Sequence, residues 1–167
     1  MHLVGIVMGS QSDFPVVEPA IKLLKSFNIS VEVRVISAHR TPEEAASYAK
    51  EAAERGVEVI IAAAGKAAHL PGVLAAYTIL PVIGLPVKSS TMDGLDSLLS
   101  IVQMPSGVPV ATVAINGSEN AALLAVQILA LKDTALAEAL RDYRAQMVES
   151  VKKQDEKVQE EIARWTD

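Results

Sequence analysis

Three short segments carry residue types that could do chemistry in a chain otherwise rich in small aliphatic residues. The first, Met8-Gly9-Ser10-Gln11-Ser12-Asp13, follows an apolar run and precedes a helical pattern. Gly9 permits a tight turn. The hydroxyls of Ser10 and Ser12 would lie beside the unpaired N–H groups of a helix start, a combination that suits a phosphate. Asp13 would repel a bare phosphate but can accept hydrogen bonds from sugar hydroxyls, so a ribose phosphate fits better. Ordinary helix capping by Ser12 explains part of the same pattern. The segment lacks the G-x-G-x-x-G spacing, which disfavours a dinucleotide.

The second segment is Ser37-Ala38-His39-Arg40-Thr41-Pro42. Arg40 can grip a phosphate through two N–H groups at once, and His39 can take and return a proton near neutral pH. An isolated histidine is more often structural or simply exposed, and position alone leaves that choice open. The third segment is Ala64-Gly65-Lys66-Ala67-Ala68-His69-Leu70-Pro71-Gly72. Its small residues would let a flat ligand approach the backbone, and Pro71-Gly72 shapes a turn or kinks a helix. His69 either lines a pocket or bonds a backbone carbonyl, while His2 reads as incidental. No closely spaced His/Asp/Glu cluster suggests a metal site. No G-x-S-x-G supplies a nucleophile elbow, and the first apolar run does not end in the paired acids of a phosphorylation receiver. Taken alone, these residues describe a small-molecule site for a phosphorylated sugar with a histidine acid/base.

Regular elements must hold these segments in place. Short β-branched runs at Leu3–Met8, Val31–Ile36, Val57–Ala63, Pro81–Leu85 and Pro109–Ile115 read as strands. Between and after them, Asp13–Phe27, Pro42–Arg55, His69–Ala76, Leu95–Gln103 and Glu119–Leu131 read as helices. Thr41-Pro42-Glu43-Glu44 predicts a capping box at the start of the second helix, and Arg55-Gly56 predicts its end. Alternating strands and helices imply βαβ units and an open parallel sheet, an α/β fold. Ligands bind such sheets beyond the carboxyl ends of the strands. The loops after strands one, two and three are those three segments.

Composition sets the outer limits. At 167 residues, half of them apolar and only 4% aromatic, the chain suits one domain packed with Val, Ile, Leu and Ala. A net charge of −5 argues against nucleic acid or an anionic membrane as the main partner, without excluding a small cationic pocket. Cysteine is absent, which removes thiolate catalysis, disulfides and thiolate metal ligation. The opening residues do not read as a signal peptide, and no apolar stretch approaches a membrane span. The expectation is a cytoplasmic protein. Residues 133–167 differ: Leu136, Leu140, Tyr143, Met147, Val151, Val158, Ile162 and Trp165 form an apolar stripe on a charged helix or helix pair. The expected division is therefore a domain over 1–132 and a helical extension over 133–167, packed either on a neighbouring subunit or back on its own sheet.

MGSQSD, SAHRTP, AAHLPG and GLDSLLSIVQMPSGVPVATVAI, in this order and at these spacings, resemble the family of 5-(carboxyamino)imidazole ribonucleotide mutase and its sister aminoimidazole ribonucleotide carboxylase. The match runs from about Val4 to Leu131. The resemblance implies a flavodoxin-like three-layer α/β/α sandwich around a parallel sheet, assembled as a homo-octamer with each active site shared between subunits. It implies that Ser10, Asp13 and Arg40 bind substrate and that Ser37, Ala38, Gly65, His69 and Leu70 line the same pocket; Ser12 and Lys66, in the same loops, are expected to join the substrate-binding set. His39 becomes the proton shuttle. The implied reaction belongs to purine biosynthesis and needs no cofactor and no metal. A carboxyl group leaves the exocyclic nitrogen of the ribonucleotide as carbon dioxide, and carbon-4 of the ring then attacks it.

One loop departs from the family's bacterial pattern, G-A-G-G-A-A-H-L-P-G, by placing Ala63 and Lys66 where that pattern has glycine. The carboxylase branch resembles A-G-R-S-N there, with a basic residue at the Lys66 position, whereas Ala67, Ala68 and H-L-P-G side with the mutase. Lys66 is then either a neutral change or a cation that alters how carbon dioxide or carboxylate is held. If glycine served there with φ above zero, lysine carries a backbone penalty. Direct carboxylation of aminoimidazole ribonucleotide is the alternative activity, and a non-catalytic nucleotide- or flavin-binding module is the alternative of another class.

Overall fold

The computed structural model describes residues 1–165. Five parallel strands form one sheet: β1 (Leu3–Met8), β2 (Ser30–Val35), β3 (Val59–Gly65), β4 (Val82–Val87) and β5 (Ala111–Thr112). Their order is β2-β1-β3-β4-β5, the doubly wound flavodoxin-like arrangement. The connecting helices are α1 (Phe14–Ser26), α2 (Pro42–Glu51), α3 (Leu70–Tyr77), α4 (Leu95–Val102) and α5 (Ser118–Ala130). Central strands β3 and β4 are buried almost throughout, as expected where helices cover both faces. Ile60, Ala62 and Ala64 of β3 share one apolar cluster with Ala45 and Tyr48 of α2, Leu74 of α3 and Ile101 of α4. Right-handed crossovers then place α1 on the opposite face, giving the three-layer α/β/α sandwich.

Aliphatic packing is tight on that face. A Cβ added at Gly84 of β4 would meet side-chain atoms of Ile101 and Val110. Leucine, isoleucine and alanine thus bring the helices close to the strands without any large aromatic core.

Several boundaries differ from expectation for identifiable reasons. The fifth strand shrinks from seven expected residues to the Ala111–Thr112 pair, which lies beside Ile83 and Gly84. Gly84 O accepts Val113 N at 3.0 Å, so Pro86, two residues on, faces the same neighbour without an N–H to offer. The ladder stops there, although Pro86 O still accepts Asn116 N at 2.8 Å. The second helix ends four residues early as regular α-helix. Its chain turns on through Gly56 at φ 86°, with Val57 N bonded to Ala52 O and Gly56 N to Ala53 O, a Schellman closure.

The expected capping box at Thr41 is absent: Thr41 makes no side-chain cap. Its Oγ1 accepts Ser37 N at 3.0 Å and donates to Ser37 O at 3.1 Å, closing the loop instead of the helix. Nor does Ser12 cap α1. A one-turn 3-10 segment, Gln11–Asp13, precedes that helix, and Ser10 caps it with Asp13 as the reciprocal partner.

The chain divides into two compact units, residues 1–129 and residue 130 onward. The second unit holds one continuous 30-residue helix, α6 (Thr134–Ala163), so the helix-pair alternative does not apply. At 1.5 Å per residue, α6 is about 45 Å long. Asp133 caps it by accepting Leu136 N at 3.0 Å. Its apolar stripe repeats every eleven residues, as Leu136–Met147–Val158 and Leu140–Val151–Ile162, a period close enough to the helical one to keep these side chains on one slowly drifting face. Leu136 and Leu140 are buried, whereas Met147, Val151, Val158 and Ile162 are exposed. Among the described residues, no helix is long and apolar enough to cross a membrane.

Candidate active site

The sheet reverses direction of winding between β1 and β3, and that switch point is where doubly wound folds place ligands. Gly9 N bonds Ala63 O at 3.1 Å, pinning the loop after β1 to β3. Ser10 then adopts an extended conformation, and its Oγ accepts Ser12 N at 3.3 Å and the Ser12 hydroxyl at 2.9 Å. Asp13 Oδ2 accepts Ser10 N at 3.2 Å. The Asp13 side chain is buried, and burial raises its carboxyl above the ordinary value against the opposing pull of the Ser10 N–H.

The loop after β2 is tied to that first loop. The Ile36 N bond to Met8 O, at 2.9 Å, extends the pairing one residue past the strand. Ser37 Oγ accepts both Arg40 N at 3.2 Å and Arg40 Nε at 3.3 Å, which turns the guanidinium across the strand ends. One terminal nitrogen of Arg40 donates to Gly9 O at 3.0 Å. Arg40 lines the same cavity as Ser10 and Ser12.

His39 follows in the same turn. Its Nε2 lies 2.8 Å from Nδ1 of His69, with ring centroids 4.8 Å apart and planes inclined at 71°. One nitrogen of that contact must carry a proton and the other must be bare. His69 occupies the N-cap position of α3 but makes no side-chain cap, so its ring is left for His39. Pro71 sits in the first turn of α3, where a missing N–H costs nothing, and does not kink the helix. Gly65 ends β3 where a Cβ would stand 3.4 Å from Val87 O, at the near edge of ordinary contact. Lys66 follows at φ 57°, in the left-handed region.

These loops enclose one cavity of about 610 Å³. Ser10, Ser12 and Asp13 line it from the first loop, and Ser37, Ala38, His39 and Arg40 from the second. Gly65, Lys66, His69 and Leu70 line it from the third. All the residues singled out in the sequence therefore face one space. His2 lies apart, at the amino end of β1, with Nδ1 2.8 Å from Glu58 Oε2.

A fourth wall was missed. Val87, Lys88, Ser89 and Ser90, after β4, also line the cavity. Lys88 N donates to Asn116 Oδ1 at 2.8 Å, and its Nζ lies 3.1 Å from Asp93 Oδ1. Ser89 Oγ bonds Thr91 O at 2.7 Å and reaches the Asp96 carboxylate at 3.1 Å. The rule that ligands gather at carboxyl strand ends applies equally to β4, and the polar run Lys88-Ser89-Ser90 was its visible signal.

The sequence pattern that defines the AIR carboxylase family matches residues 3–150. The chain belongs to that family. An N5-carboxyaminoimidazole ribonucleotide mutase of Pyrococcus horikoshii is 58% identical over 158 residues, covering 95% of this chain and 89% of that protein. A phosphoribosylaminoimidazole carboxylase of Candida glabrata is 55% identical over 162 residues, 97% of this chain but 27% of that longer protein. The crystal structure of Treponema denticola PurE superposes with a TM-score of 0.86 at 34% identity, over 94% of this chain and 98% of that one. Proteins of either name thus match this chain along nearly its whole length.

Proposed function

We propose that this chain is an N5-carboxyaminoimidazole ribonucleotide mutase of purine biosynthesis. The observation that carries the reading is the His39–His69 pair, set at 2.8 Å in the same cavity as Ser10, Ser12 and Asp13. The high identity to mutases along nearly the whole chain supports it. Ser10, Ser12 and the free N–H groups of Arg40 receive the phosphate, and Asp13 accepts from the ribose hydroxyls. Ser37, Ala38, Gly65 and Leu70 shape the walls around the base, with His69 holding His39.

In the reaction, the bond between the exocyclic nitrogen and the carboxyl carbon breaks. The nitrogen gains a proton and carbon dioxide is left beside the ring. Carbon-4 then attacks it and loses its own proton. A single imidazole, His39, gives the first proton and takes the second, so the enzyme ends as it began. Holding carbon dioxide next to carbon-4 is a proximity effect, and a placed acid/base contributes about 10² to 10⁴ in rate. The scheme calls for no cofactor. We further propose a cytoplasmic homo-octamer, in which the 133–167 extension packs on neighbouring subunits through the exposed stripe of α6.

Direct carboxylation of aminoimidazole ribonucleotide is the second reading, favoured by the basic residue at Lys66. Turnover of the purified protein on each ribonucleotide separates the two. Conversion of the N5-carboxylated substrate at low carbon dioxide supports the mutase. Rapid conversion of aminoimidazole ribonucleotide under the same conditions rejects it.

A further inference from the structure

We propose that the Lys66 ammonium is the counter-ion of the migrating carboxylate, binding it in both reactant and product. This rests on the mutase reading above. Three permanent cations line the cavity, against Asp13 as the one acid among its lining residues. Arg40 commits N–H groups to Gly9 O and Ser37 Oγ, and Lys88 is paired with Asp93 at 3.1 Å. Among the described residues, Lys66 has neither a carboxylate nor a hydrogen-bond acceptor beside it. It is the cation left over for an anionic ligand.

Its position along the chain says which anion. The ribonucleotide is charged at its phosphate and at its carboxylate. The first loop and Arg40 suit the phosphate. The carboxylate must lie where His39 can exchange protons with the ring, and His39 is bonded to His69, three residues beyond Lys66 on the same loop. Lys66 lines the cavity on the loop that also supplies His69, and under this proposal its ammonium sits at the ring end. Its backbone, at φ 57°, is one that glycine adopts freely and other residues do not. Local conformation thus gives no reason for lysine here, which leaves the ammonium itself to account for it.

The reaction's charge pattern fixes the consequence. The carboxylate is anionic on the exocyclic nitrogen and again on carbon-4, but carbon dioxide between them is neutral. A cation that holds the carboxylate stabilises the bound reactant and product more than the decarboxylated intermediate. Such binding lowers KM without raising kcat.

The test is calorimetric titration of the carboxylated product ribonucleotide, and separately of aminoimidazole ribonucleotide, into the wild-type protein and its variants at low ionic strength. Lys66→Met should weaken the carboxylated nucleotide about tenfold, the scale of one charge-assisted hydrogen bond. It should leave aminoimidazole ribonucleotide within about twofold, because the lost partner is absent from that ligand. KM for the N5-carboxylated substrate should rise with kcat unchanged or higher, and Lys66→Arg should restore most of the affinity. Added salt should shrink the difference between wild type and Lys66→Met. Equal weakening of both ligands, no weakening of either, or a fall in kcat at constant KM overturns the proposal. A wild-type protein that binds neither ribonucleotide and converts neither would overturn the mutase reading itself, a distinct result.

Discussion

His39 and His69 come from loops thirty residues apart in the chain, yet both line the cavity and share one hydrogen bond of 2.8 Å. The bond holds only while one of the two facing nitrogens carries a proton and the other is bare, so the two rings orient each other and their tautomers are coupled. A proton shuttle needs that control, because it must present the same nitrogen in both halves of the reaction.

The pair should therefore separate by mutation. His39→Asn should lower kcat by about 10² to 10⁴ while ribonucleotide affinity stays within a few-fold. If His69 positions His39 as proposed, His69→Asn, which keeps a hydrogen-bonding group, should retain more kcat than His69→Ala at similar KM. Steady-state kinetics beside direct binding measurements check this. Equal loss in the two His69 variants would remove its role in orienting His39.

Asp13 predicts a conflict between function and stability. Burial raises its carboxyl above the ordinary value of 3.8. Between that value and the raised one, the folded chain binds more protons than the unfolded chain, so stability falls as pH rises through the window. At neutral pH the ionised group is a cost to the fold. Asp13→Asn keeps an oxygen for the Ser10 N–H and removes the charge. Urea unfolding should show the variant at least as stable at neutral pH, with a flatter dependence through the acid range. KM should rise about tenfold or more, since a neutral amide is a weaker acceptor for sugar hydroxyls.

Arg40 spans two loops by donating to Gly9 O and Ser37 Oγ. Lysine has one nitrogen and cannot hold that bridge while meeting a phosphate. Arg40→Lys should raise KM about tenfold or more with kcat less affected, the signature of lost substrate binding. Thermal stability should barely change, because Thr41 and Ser37 close the loop independently.

Much of this site was legible in the sequence because its residues sit at strand ends that hydrophobic periodicity locates. Three of the four loops were found that way, and β1 was located to the residue. Pairing and caps were not legible, since they depend on geometry between neighbours. Nothing in His69 announces a bond to His39. Thr41 carried a capping-box spelling but turned its hydroxyl to Ser37, and the real reciprocal cap, Ser10 with Asp13, was hidden inside a presumed phosphate loop. The fifth strand failed for a reason visible only once β4 lay beside it: Pro86 has no N–H to give.

Lys66 should expose its backbone cost in stability measurements. A residue with a Cβ in the left-handed region costs about 1 to 2 kcal/mol, and glycine returns about 0.5 to 1 kcal/mol of that as extra unfolded-state entropy. Lys66→Gly should thus be neutral or more stable by up to about 1.5 kcal/mol, while Lys66→Ala, which keeps its Cβ, should not gain. Chemical denaturation of both variants reads the difference. An alanine variant as stable as the glycine variant would show that φ 57° is not strained at this position.

The exposed half of α6 offers the last test. Met147 and Val151 are 54% and 64% exposed, one turn apart on the stripe that repeats from Leu136 and Leu140. Apolar groups repeated at that spacing on a solvent-facing helix gain nothing within the subunit, but they would bury area against a second copy. Introducing carboxylates by Met147→Glu and Val151→Glu should leave far-ultraviolet circular dichroism unchanged, because neither residue is part of the buried core. In sedimentation velocity the double variant should shift from the assembled species toward smaller ones. If each active site is completed by neighbouring subunits, turnover should fall in parallel with dissociation and recover at high protein concentration. Unchanged sedimentation would mean that the stripe of α6 does not hold the assembly together.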